Sequence, residues 1–356
     1  MTTEPTADSR ADDLPFISVV VPCRNEEQWI AGCLQSILSN DYPRERMEVL
    51  VVDGMSDDAT RQIAQRFAAE HPHVRMVDNV KRIAPSAMNL GIAAARGSII
   101  VRMDAHVEYP RDYISSLVRL SVETGADNVG GVCVVRPAGD SALARAIAVG
   151  LSHPLGVGNS YFRIGTAALR WGEAGAFGCF RRDVFQRFGL FDEELARNQD
   201  DELNLRLRKL GARLLLSPGI VSYYYARDSL GKLWRMFYQY GYFKPLVARK
   251  LGRVMTVRQL IPPLFATALL LGGLLAPWSR AAAGVLAALV SCYLLAILLA
   301  AARAARQHGC ACAAGLFLVI PTMHFAYGLG YLKGVLDFWV RRKRLSGRSP
   351  AVPLSR

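Results

Sequence analysis

The first hundred residues alternate short apolar runs with stretches in which apolar residues recur at helical spacing. The runs FISVVVP, MEVLVVD and SIIVRMD are rich in aliphatic and β-branched residues, which is typical of strands buried on both faces of a parallel sheet. This alternation predicts an α/β fold with a mostly parallel sheet and right-handed crossovers. Asn25 is predicted to cap the first helix, and Asp57 or Asp58 the second. The pattern predicts strands over residues 16–22, 47–53, 74–77 and 98–104, and helices over residues 26–38, 59–69 and 84–95.

The last third of the chain has a different pattern. Three long stretches, at residues 259–279, 281–302 and 307–332, lack any charged side chain. Because about 20 apolar residues in a helix cross a hydrocarbon core of roughly 30 Å, each stretch is long enough to span a membrane. The alternative is burial inside a soluble domain, and the succession of three such stretches with Arg or Lys between them favours the membrane.

Net charge separates the two parts of the chain. The sequence carries a formal charge of +13, and from Arg249 onward it has 14 basic residues and one acidic residue. The first 248 residues are therefore neutral, which argues against a nucleic-acid partner. Basic flanks stay on the cytoplasmic side of membranes, so Lys244, Arg249 and Lys250 indicate that the first span starts in the cytoplasm. Three crossings would place the Arg-rich tail outside, against this rule. Either the third stretch is re-entrant or interfacial, or the tail is an exception.

Three polar features follow the predicted strands, at the edge where α/β sheets bind ligands. They are PCRNEE at residues 22–27, Asp53, and the DAH sequence from Asp104 to His106. The sequence has neither GxGxxG after the first strand nor GxxxxGK[ST], which disfavours a dinucleotide fold and a P-loop. A carboxylate and an imidazole suit Mn²⁺ or a similar divalent ion that bridges phosphate oxygens. An Asp that ends a strand is also a common turn former, so this pair alone leaves both interpretations open.

Six sequence blocks extend the pattern beyond single residues. They are VVVPCRNEE, VVDGMSDDAT, MNLGIAAARG, IIVRMDAH, GAFGCFRRDVF and NQDDELNLRLRKLG, within residues 16–250. In this order and spacing they resemble glycosyltransferase family two. The resemblance implies a GT-A fold, with a Rossmann-like and mostly parallel sheet, and an inverting transferase that uses a nucleotide-diphospho-sugar donor.

The resemblance also implies a donor site in the first half of the sequence. The family positions that bind the nucleotide are matched by Pro22, Asn25, Glu26, Asp53 and Asp104. Asp104 and His106 match the metal motif usually written D-x-D, which implies Mn²⁺ or Mg²⁺ as the cofactor. His106 departs from that motif and suits the DAH variant of succinoglycan-type exopolysaccharide glucosyltransferases.

Asp200 takes the place of the family's catalytic base, the aspartate of an E-D pair, although Gln199 precedes it here. Inversion requires a base that removes a proton from the acceptor hydroxyl as this hydroxyl attacks the anomeric carbon. The alternative is that Asp200, Asp201 and Glu202 only favour the first turn of the helix that follows.

The block GAFGCFRR resembles the loop that contacts the donor sugar and the acceptor, and its glycines would let backbone approach a ligand closely. The two arginines either pair with phosphate or lie on a solvated face. The residues predicted for these contacts are Gly175, Phe177, Gly178, Arg181, Arg182 and Asp201.

An aromatic and basic segment at residues 223–244 precedes the uncharged stretches. Trp and Tyr favour the membrane interface, so the segment is predicted to form an interfacial helix that anchors the domain. The QxxRW signature of processive synthases is absent and YQYGY stands in this segment instead, which favours the addition of a single sugar.

These features predict five parts of the chain. They are a polar tail over residues 1–15, a GT-A glycosyltransferase domain over 16–245, a basic linker over 246–258, a membrane region with two to three spans over 259–340, and a basic tail over 341–356. The N-terminal tail has no apolar region, so no signal peptide is predicted.

The expected function is that of a multi-pass transferase of a bacterial inner membrane, with its catalytic domain in the cytoplasm. It would add one hexose, glucose from UDP-glucose, to a polyprenyl-linked oligosaccharide in exopolysaccharide biosynthesis, beside other polysaccharide-assembly proteins. Two alternatives stay open: transfer to polyprenyl phosphate itself, and a non-catalytic module that binds sugar nucleotides. A nucleotidyltransferase is disfavoured because its Gly-rich N-terminal loop is missing.

Overall fold

The computed structural model describes residues 14–254 and 256–343. Residues 1–13 of the predicted polar tail and residues 344–356 of the predicted basic tail lie outside this range. The described strands are β1 Ile17–Cys23, β2 Met47–Asp53, β3 Val74–Asp78, β4 Ile99–Arg102, β5 Val107–Glu108, β6 Asn128–Arg136, β7 Arg170–Trp171, β8 Ala176–Arg181 and β9 Leu214–Tyr225.

The described helices include three long apolar ones at the C-terminal end. In chain order the α-helices are α1 Ile30–Leu38, α2 Thr60–Glu70, α3 Ala84–Ala94, α4 Tyr113–Thr124, α5 Ala142–Ser152, α6 Pro154–Val157, α7 Tyr161–Ile164, α8 Asp183–Phe188, α9 Gln199–Lys209, α10 Leu230–Leu251, α11 Ile261–Leu275, α12 Arg280–His308 and α13 Cys310–Val335. A π-helical turn, Leu336–Val340, continues α13.

The chain forms two compact units. The first comprises Met1–Val134, Gly165–Glu193 and Leu203–Tyr224, and the second comprises Val135–Ile164, Glu194–Glu202 and Tyr225–Arg356. These units do not follow the predicted boundary between a catalytic domain and a linker at residues 245 and 246. Helix α10 also continues through that point to Leu251, so about half of the predicted linker is helical.

A single mixed sheet contains the strands, in the order β3-β2-β1-β4-β8-β6-β9-β5, with β7 paired to β9. The first four strands are parallel to one another, as the alternation of strands and helices predicts. Strand β8 then pairs antiparallel with β4 and with β6. The carboxyl ends of the parallel strands therefore share one edge of the sheet, which we call the carboxyl edge.

The core of the first unit lies on both faces of the parallel strands. Val20, Leu50 and Ile100 have no exposed surface, and Met88 of α3 packs in the same cluster. Gly91 lets α3 approach β1, because a Cβ atom at this position would lie 2.4 Å or so from a methyl group of Val20 and force the helix outward. Burial on both faces explains why these strands are mostly apolar.

The loop after β1 differs from the prediction in one respect. Helix α1 begins at Ile30 and has no side-chain cap, so Asn25 is not its N-cap. Asn25 instead has a left-handed backbone, with φ of 54°, which Asn tolerates better than most residues. Helix α2 likewise begins later than expected, after Ala59, and Asp58 contributes only by accepting a hydrogen bond from the amide of Thr60 at 2.9 Å.

The second unit is helical, and its centre is the contact between α10 and α13. Glycines allow this close approach: a Cβ atom at Gly241, Gly330 or Gly334 would overlap a backbone carbonyl oxygen of the facing helix. The N-terminal half of α13 packs on α5, where a Cβ atom at Gly315 would lie 2.6 Å from that of Ala146. Small residues at such crossings are typical of tightly packed helices in membrane proteins.

Three helices of the described chain are long and apolar enough to cross a membrane: Val257–Leu275, Arg280–His308 and Cys310–Val340. The aromatic segment before them was predicted to form an interfacial helix, but several of its aromatic side chains are buried in the protein. Phe237, Tyr242 and Phe243 of α10 are buried in the protein, and Trp234 is the more exposed aromatic residue. Helix α13 accounts for part of this burial, since Gly241 and Tyr242 pack against it.

Candidate active site

The loops that follow β1 and β2 are joined by hydrogen bonds at the carboxyl edge. The amide of Asn25 donates to Ser56 Oγ at 3.0 Å, and the amide of Asp57 donates to Asn25 Oδ1 at 3.1 Å. The amide of Glu26 donates to Thr60 Oγ1 at 2.6 Å. The left-handed backbone of Asn25 turns its amide and its side chain toward the second loop, so a strained residue maintains the connection.

Asp53 ends β2 and is fully buried. Its carboxylate accepts hydrogen bonds from the amide and the hydroxyl of Ser56, at 3.1 and 2.5 Å, and from Arg61 Nη1 at 3.1 Å. Arg61 also pairs with Asp78 at 2.7 Å. Pro22 lies near the end of β1 and pairs with Val52 of β2. The pairing of β1 with β4 ends earlier, at Val20. A proline is tolerated there because its missing N–H has no ladder partner on that side.

Asp104 lies two residues after β4 at the same carboxyl edge. Its carboxylate receives a two-pronged contact from Arg102, with Nε to Oδ1 at 2.8 Å and Nη2 to Oδ2 at 3.2 Å. The hydroxyl of Tyr109 accepts from the amide of Asp104 at 2.6 Å, and burial raises the pKa of this hydroxyl well above its usual range. The neutral tyrosine therefore fixes the backbone, and Arg102 orients the carboxylate.

His106 approaches Glu26, the residue that the first loop contributes. His106 Nδ1 lies 3.3 Å from Glu26 Oε1, and its ring contacts Tyr224 edge-on at 5.5 Å between centroids. The buried Nδ1 of His106 forms no hydrogen bond with any described residue, so its contact with Glu26 is a close approach of an imidazole to a carboxylate. The structure thus brings Asn25, Glu26 and His106 to one edge of the sheet.

The donor set at this edge fits a divalent ion that also binds phosphate. Asp104 and His106 offer one carboxylate and one imidazole, which are ligands for Mn²⁺ or Mg²⁺. Among the described residues no group of three or more His, Cys, Asp or Glu side chains could hold a metal by itself. Such an ion would therefore need oxygen ligands from a diphosphate, and Asp104 would have to share its oxygens with Arg102.

The block GAFGCFRR, predicted as a loop, is mostly the strand β8. Its apolar residues are mostly buried between β4 and β6, which explains why a strand forms. Gly175 and Gly178 do approach other atoms closely, but these atoms belong to the chain, namely the backbone of Gly130 and the side chain of Asn128. Phe177 has a left-handed φ of 48° and lies 6.1 Å from Tyr109, near the carboxyl edge.

Arg181 and Arg182 lie at the other end of β8. Because β8 is antiparallel to β4, Arg181 pairs with Ile99, the first residue of β4, whereas Asp104 follows its last residue. Arg181 is exposed and contacts Asp183 at 3.4 Å. The structure does not bring these two arginines together with Asp104, and their position agrees with the solvated face that the sequence left as the alternative.

Asp200 and Asp201 belong to the second unit, in the first turn of α9 as predicted. Gln199 Nε2 donates to Asp200 Oδ2 at 3.4 Å. The carboxylate of Asp201 forms an ion pair with Lys244 Nζ of α10. Three acidic residues in this turn are stabilised by the positive end of the helix dipole.

Several residues of the site escaped the sequence analysis. Arg61 and Arg102 neutralise the two aspartates of the carboxyl edge, and Lys244 neutralises Asp201. Arg102 had a visible signal, since it is the charged residue near the end of an otherwise apolar strand. Lys244 had none, because its partner is 43 residues away in the chain.

The arrangement presents backbone amides, two aspartates and a histidine at the end of parallel strands. Such an edge can bind the base, ribose and diphosphate of a nucleotide. Asp200, in a separate unit, is a carboxylate that can accept a proton.

Comparisons with known proteins agree with this chemistry. Residues 18–189 match the family model for glycosyl transferase family 2. The chain is 32% identical over 335 residues to the succinoglycan biosynthesis protein ExoA of Rhizobium meliloti, covering 92% of this chain and 98% of that protein. It is 30% identical over 243 residues to a dolichyl N-acetyl-alpha-D-glucosaminyl phosphate 3-beta-D-2,3-diacetamido-2,3-dideoxy-beta-D-glucuronosyltransferase of Methanococcus voltae, covering 66% of this chain and 74% of that enzyme.

A solved structure confirms the fold. The mannosyltransferase PcManGT of Pyrobaculum calidifontis, in complex with GDP-Man and Mn²⁺, superposes with a TM-score of 0.57 at 24% identity. The match covers 92% of this chain and 89% of that protein. The predicted GT-A fold, with C-terminal apolar helices, is therefore confirmed.

Proposed function

Because the chain belongs to glycosyl transferase family 2, and is thus a nucleotide-sugar-dependent glycosyltransferase, we propose that it adds one hexose, glucose from UDP-glucose, to a polyprenyl-linked oligosaccharide. The observation that carries the proposal is the carboxyl edge, where Asp53 and Asp104 follow parallel strands and the two loops are joined. The likeness to a succinoglycan biosynthesis protein over nearly the whole chain supports a place in exopolysaccharide assembly, beside other assembly proteins.

The residues of the carboxyl edge would bind the donor. Asp53 would accept hydrogen bonds from the base or ribose in place of Arg61, and Asn25 and Glu26 would line the same site. Asp104 and His106 would hold a divalent ion, which supplies positive charge to the departing diphosphate when it is bound. Arg102 orients the carboxylate of Asp104 before the donor arrives.

Asp200 would act as the base. The acceptor hydroxyl loses its proton to the carboxylate as its oxygen forms a bond to the anomeric carbon, and the bond from that carbon to the diphosphate oxygen breaks. Attack from the side opposite the diphosphate inverts the anomeric configuration. Gln199 contacts the carboxylate without adding a charge.

The acceptor class rests on the apolar helices. Three helices are long enough to cross a membrane, so enzyme and lipid-linked acceptor would diffuse in one plane. The relative from Methanococcus voltae is named for transfer to a dolichyl-phosphate-linked sugar, which supports an acceptor of this kind. The basic residues before α11 favour a cytoplasmic active site on an inner membrane.

The test uses the full-length protein purified in detergent, with Mn²⁺ or Mg²⁺, a panel of radiolabelled sugar nucleotides and polyprenyl-linked acceptors. We expect transfer from UDP-glucose to a polyprenyl-diphosphate-linked sugar. Asp200→Asn should lower kcat by about 10²- to 10⁴-fold, the usual contribution of a general base, while UDP binding persists. Asp228→Asn, which breaks a surface ion pair with Lys232, is the matched control and should keep full activity.

The other outcomes separate the alternatives. Product formed only with polyprenyl phosphate would replace the proposed acceptor by the phosphate itself. Binding of UDP-sugars without transfer or donor hydrolysis would favour the non-catalytic module, and unchanged activity of Asp200→Asn would remove this residue from the mechanism.

A further inference from the structure

The segment before and within the first turn of α9 is bonded to α10 at four points, all inside the second unit. Arg197 Nε donates to Gln239 Oε1 at 3.0 Å, and Asn198 Nδ2 donates to the carbonyl of Tyr240 at 2.8 Å. Lys244 forms an ion pair with Asp201. The fourth point is the ion pair of Lys250 with Glu194 at 2.5 Å. We call residues 194–202 the base segment, since it contains Asp200.

Lys244 is the buried charged residue of this set. The residue is only 8% exposed, and its ammonium group forms an ion pair with Asp201. Taking an ammonium out of water is costly unless a carboxylate compensates it. The position of Asp201 is therefore strongly tied to that of Lys244, whereas the pair of Lys250 with Glu194 is more exposed and worth little.

The other two contacts fix the backbone that precedes Asp200. Asn198 is 8% exposed and has a left-handed φ of 61°, and its side chain holds the backbone of α10. Gln239, the partner of Arg197, has no exposed surface. Asn198 and Asp201, which lie on either side of Asp200 in the chain, are thus both tied to α10, so this helix holds the backbone that carries Asp200.

The opposite face of α10 is packed on α13. Tyr238, Gly241 and Tyr242 meet glycines or backbone of α13, and their spacing of three or four residues places them on one side of the helix. Residues 240 and 244, which contact the base segment, lie on the other side. Helix α10 thus connects the base segment to one of the apolar helices.

We propose that Lys244 is a positioning residue for catalysis, which holds the first turn of α9 through Asp201 so that Asp200 meets the acceptor hydroxyl. The proposal rests on the proposed role of Asp200 as the base. Lys244 touches neither donor nor acceptor in this scheme. Its loss leaves donor binding unchanged and lowers the rate of the chemical step, because small displacements of a catalytic group reduce rates strongly.

The experiment compares Lys244→Met with wild type in the full-length protein, by steady-state kinetics and by hydrogen exchange of peptides that cover residues 194–202. We expect kcat to fall about 10- to 100-fold, a loss typical of a displaced catalytic group, with KM for the donor and the Kd of UDP within about twofold of wild type. Exchange of the base segment should become faster.

Lys232→Met is the matched control, because it removes a lysine from the same helix and breaks an ion pair with Asp228 at the surface. It should change neither kcat nor exchange of the base segment. Asp201→Asn is a second variant, which removes the charge of the other, more exposed member of the same ion pair. It tests the proposal even if Lys244→Met fails to fold. The double variant should lose no more activity than either single variant, since one interaction is removed in both.

The proposal is overturned if Lys244→Met folds and keeps kcat within twofold, or if both kcat and UDP affinity fall together. Multiplying losses in the double variant would also overturn it. Hydrogen exchange separates a failure of this proposal from a failure of the proposed function. If neither the wild type nor any variant transfers sugar, the proposed function has failed. Faster exchange of residues 194–202 in Lys244→Met would then still show that Lys244 holds the base segment.

Discussion

Glu48 is a charged residue in the interior of the first unit, away from the carboxyl edge. Its side chain has no exposed surface and lies in β2. The carboxylate accepts hydrogen bonds from Ser18 Oγ at 2.7 Å, from the amide of Arg96 at 2.6 Å and from Arg75 Nη2 at 2.7 Å. Burial raises the pKa of Glu48, but these bonds outweigh burial and lower the pKa below its ordinary value of 4.5.

A pH dependence of stability follows from this shift. Because the pKa is lower in the folded state, the ionised form stabilises the fold fully above about pH 4.5, and this contribution is lost as the pH falls through the folded pKa. We expect Glu48→Gln to reduce the free energy of unfolding by about 2 kcal/mol at pH 7, as for a hydrogen bond to a charged group. The difference should narrow below pH 4.5, measured by thermal unfolding at several pH values.

Glu45→Gln is the control for this prediction, since Glu45 is exposed and lies three residues earlier. It should change stability little at any pH. An equal loss for Glu48→Gln at pH 7 and at pH 3.5 would show that the lost stability does not come from the charge.

At this scale the sequence predicted the acidic residues better than their partners. Asp53 and Asp104 were predicted from their position after apolar runs, because strand ends are a local pattern. Arg61 and Lys244 act across turns and between helices, so no local pattern reveals them. Asn25 was assigned as a cap because caps and left-handed turns favour the same residue type.

Among the elements, the packing of α10 on α13 depends on positions without side chains. A Cβ atom at Gly330 would overlap the carbonyl oxygen of Tyr238, and backbone atoms cannot move aside as side chains do. Overpacking of this kind costs roughly 1–3 kcal/mol.

We therefore expect Gly330→Ala to lower the melting temperature by a few degrees, in a detergent-solubilised protein. Gly284→Ala is the matched control, because Gly284 lies in another apolar helix with nothing within 4 Å of a Cβ atom. The control should be neutral or slightly stabilising, since alanine favours helix over glycine. Equal melting temperatures of the two variants would contradict the close packing.

The elements of the parallel half could be predicted from the sequence within one or two residues, except for the late start of α1. Strand β8 could not, because the resemblance described its block as a loop and its glycines favour neither loop nor strand. Its burial depends on β4 and β6, which lie about 80 and 50 residues earlier.

For the molecule as a whole, the third apolar helix differs from the other two in its surroundings. In its apolar window 39% of the residues are buried, compared with 11% and 17% for the other two helices. Its N-terminal half packs on α5 and its C-terminal half on α10, and both of these helices precede the apolar region in the chain. Phe338, just after α13, also accepts a hydrogen bond from Arg249 at 2.5 Å.

We expect the chain to cross the membrane twice, through α11 and α12, with the C-terminal tail on the same side as α10. This arrangement satisfies the distribution of basic residues, which three crossings would violate. Green fluorescent protein fused to the C-terminus should fluoresce, and alkaline phosphatase fused there should be inactive in intact cells. Alkaline phosphatase inserted after Trp278, between the two crossing helices, should be active and serves as the control.

Alkaline phosphatase activity at the C-terminus would contradict two crossings and restore the third span. In that case the Arg-rich tail would be an exception to the charge rule, the other interpretation that the sequence allows.

The shared use of both faces of α10 limits how this enzyme can be divided. A chain cut after Leu251 would lack the three apolar helices. It would keep the base segment but lose the helix that covers Gly241 and Tyr242. The uncovered strip would expose apolar side chains to water and favour aggregation. A soluble fragment that keeps α10 in its native form therefore needs polar substitutions or another helix to cover the strip that α13 covers in the full chain.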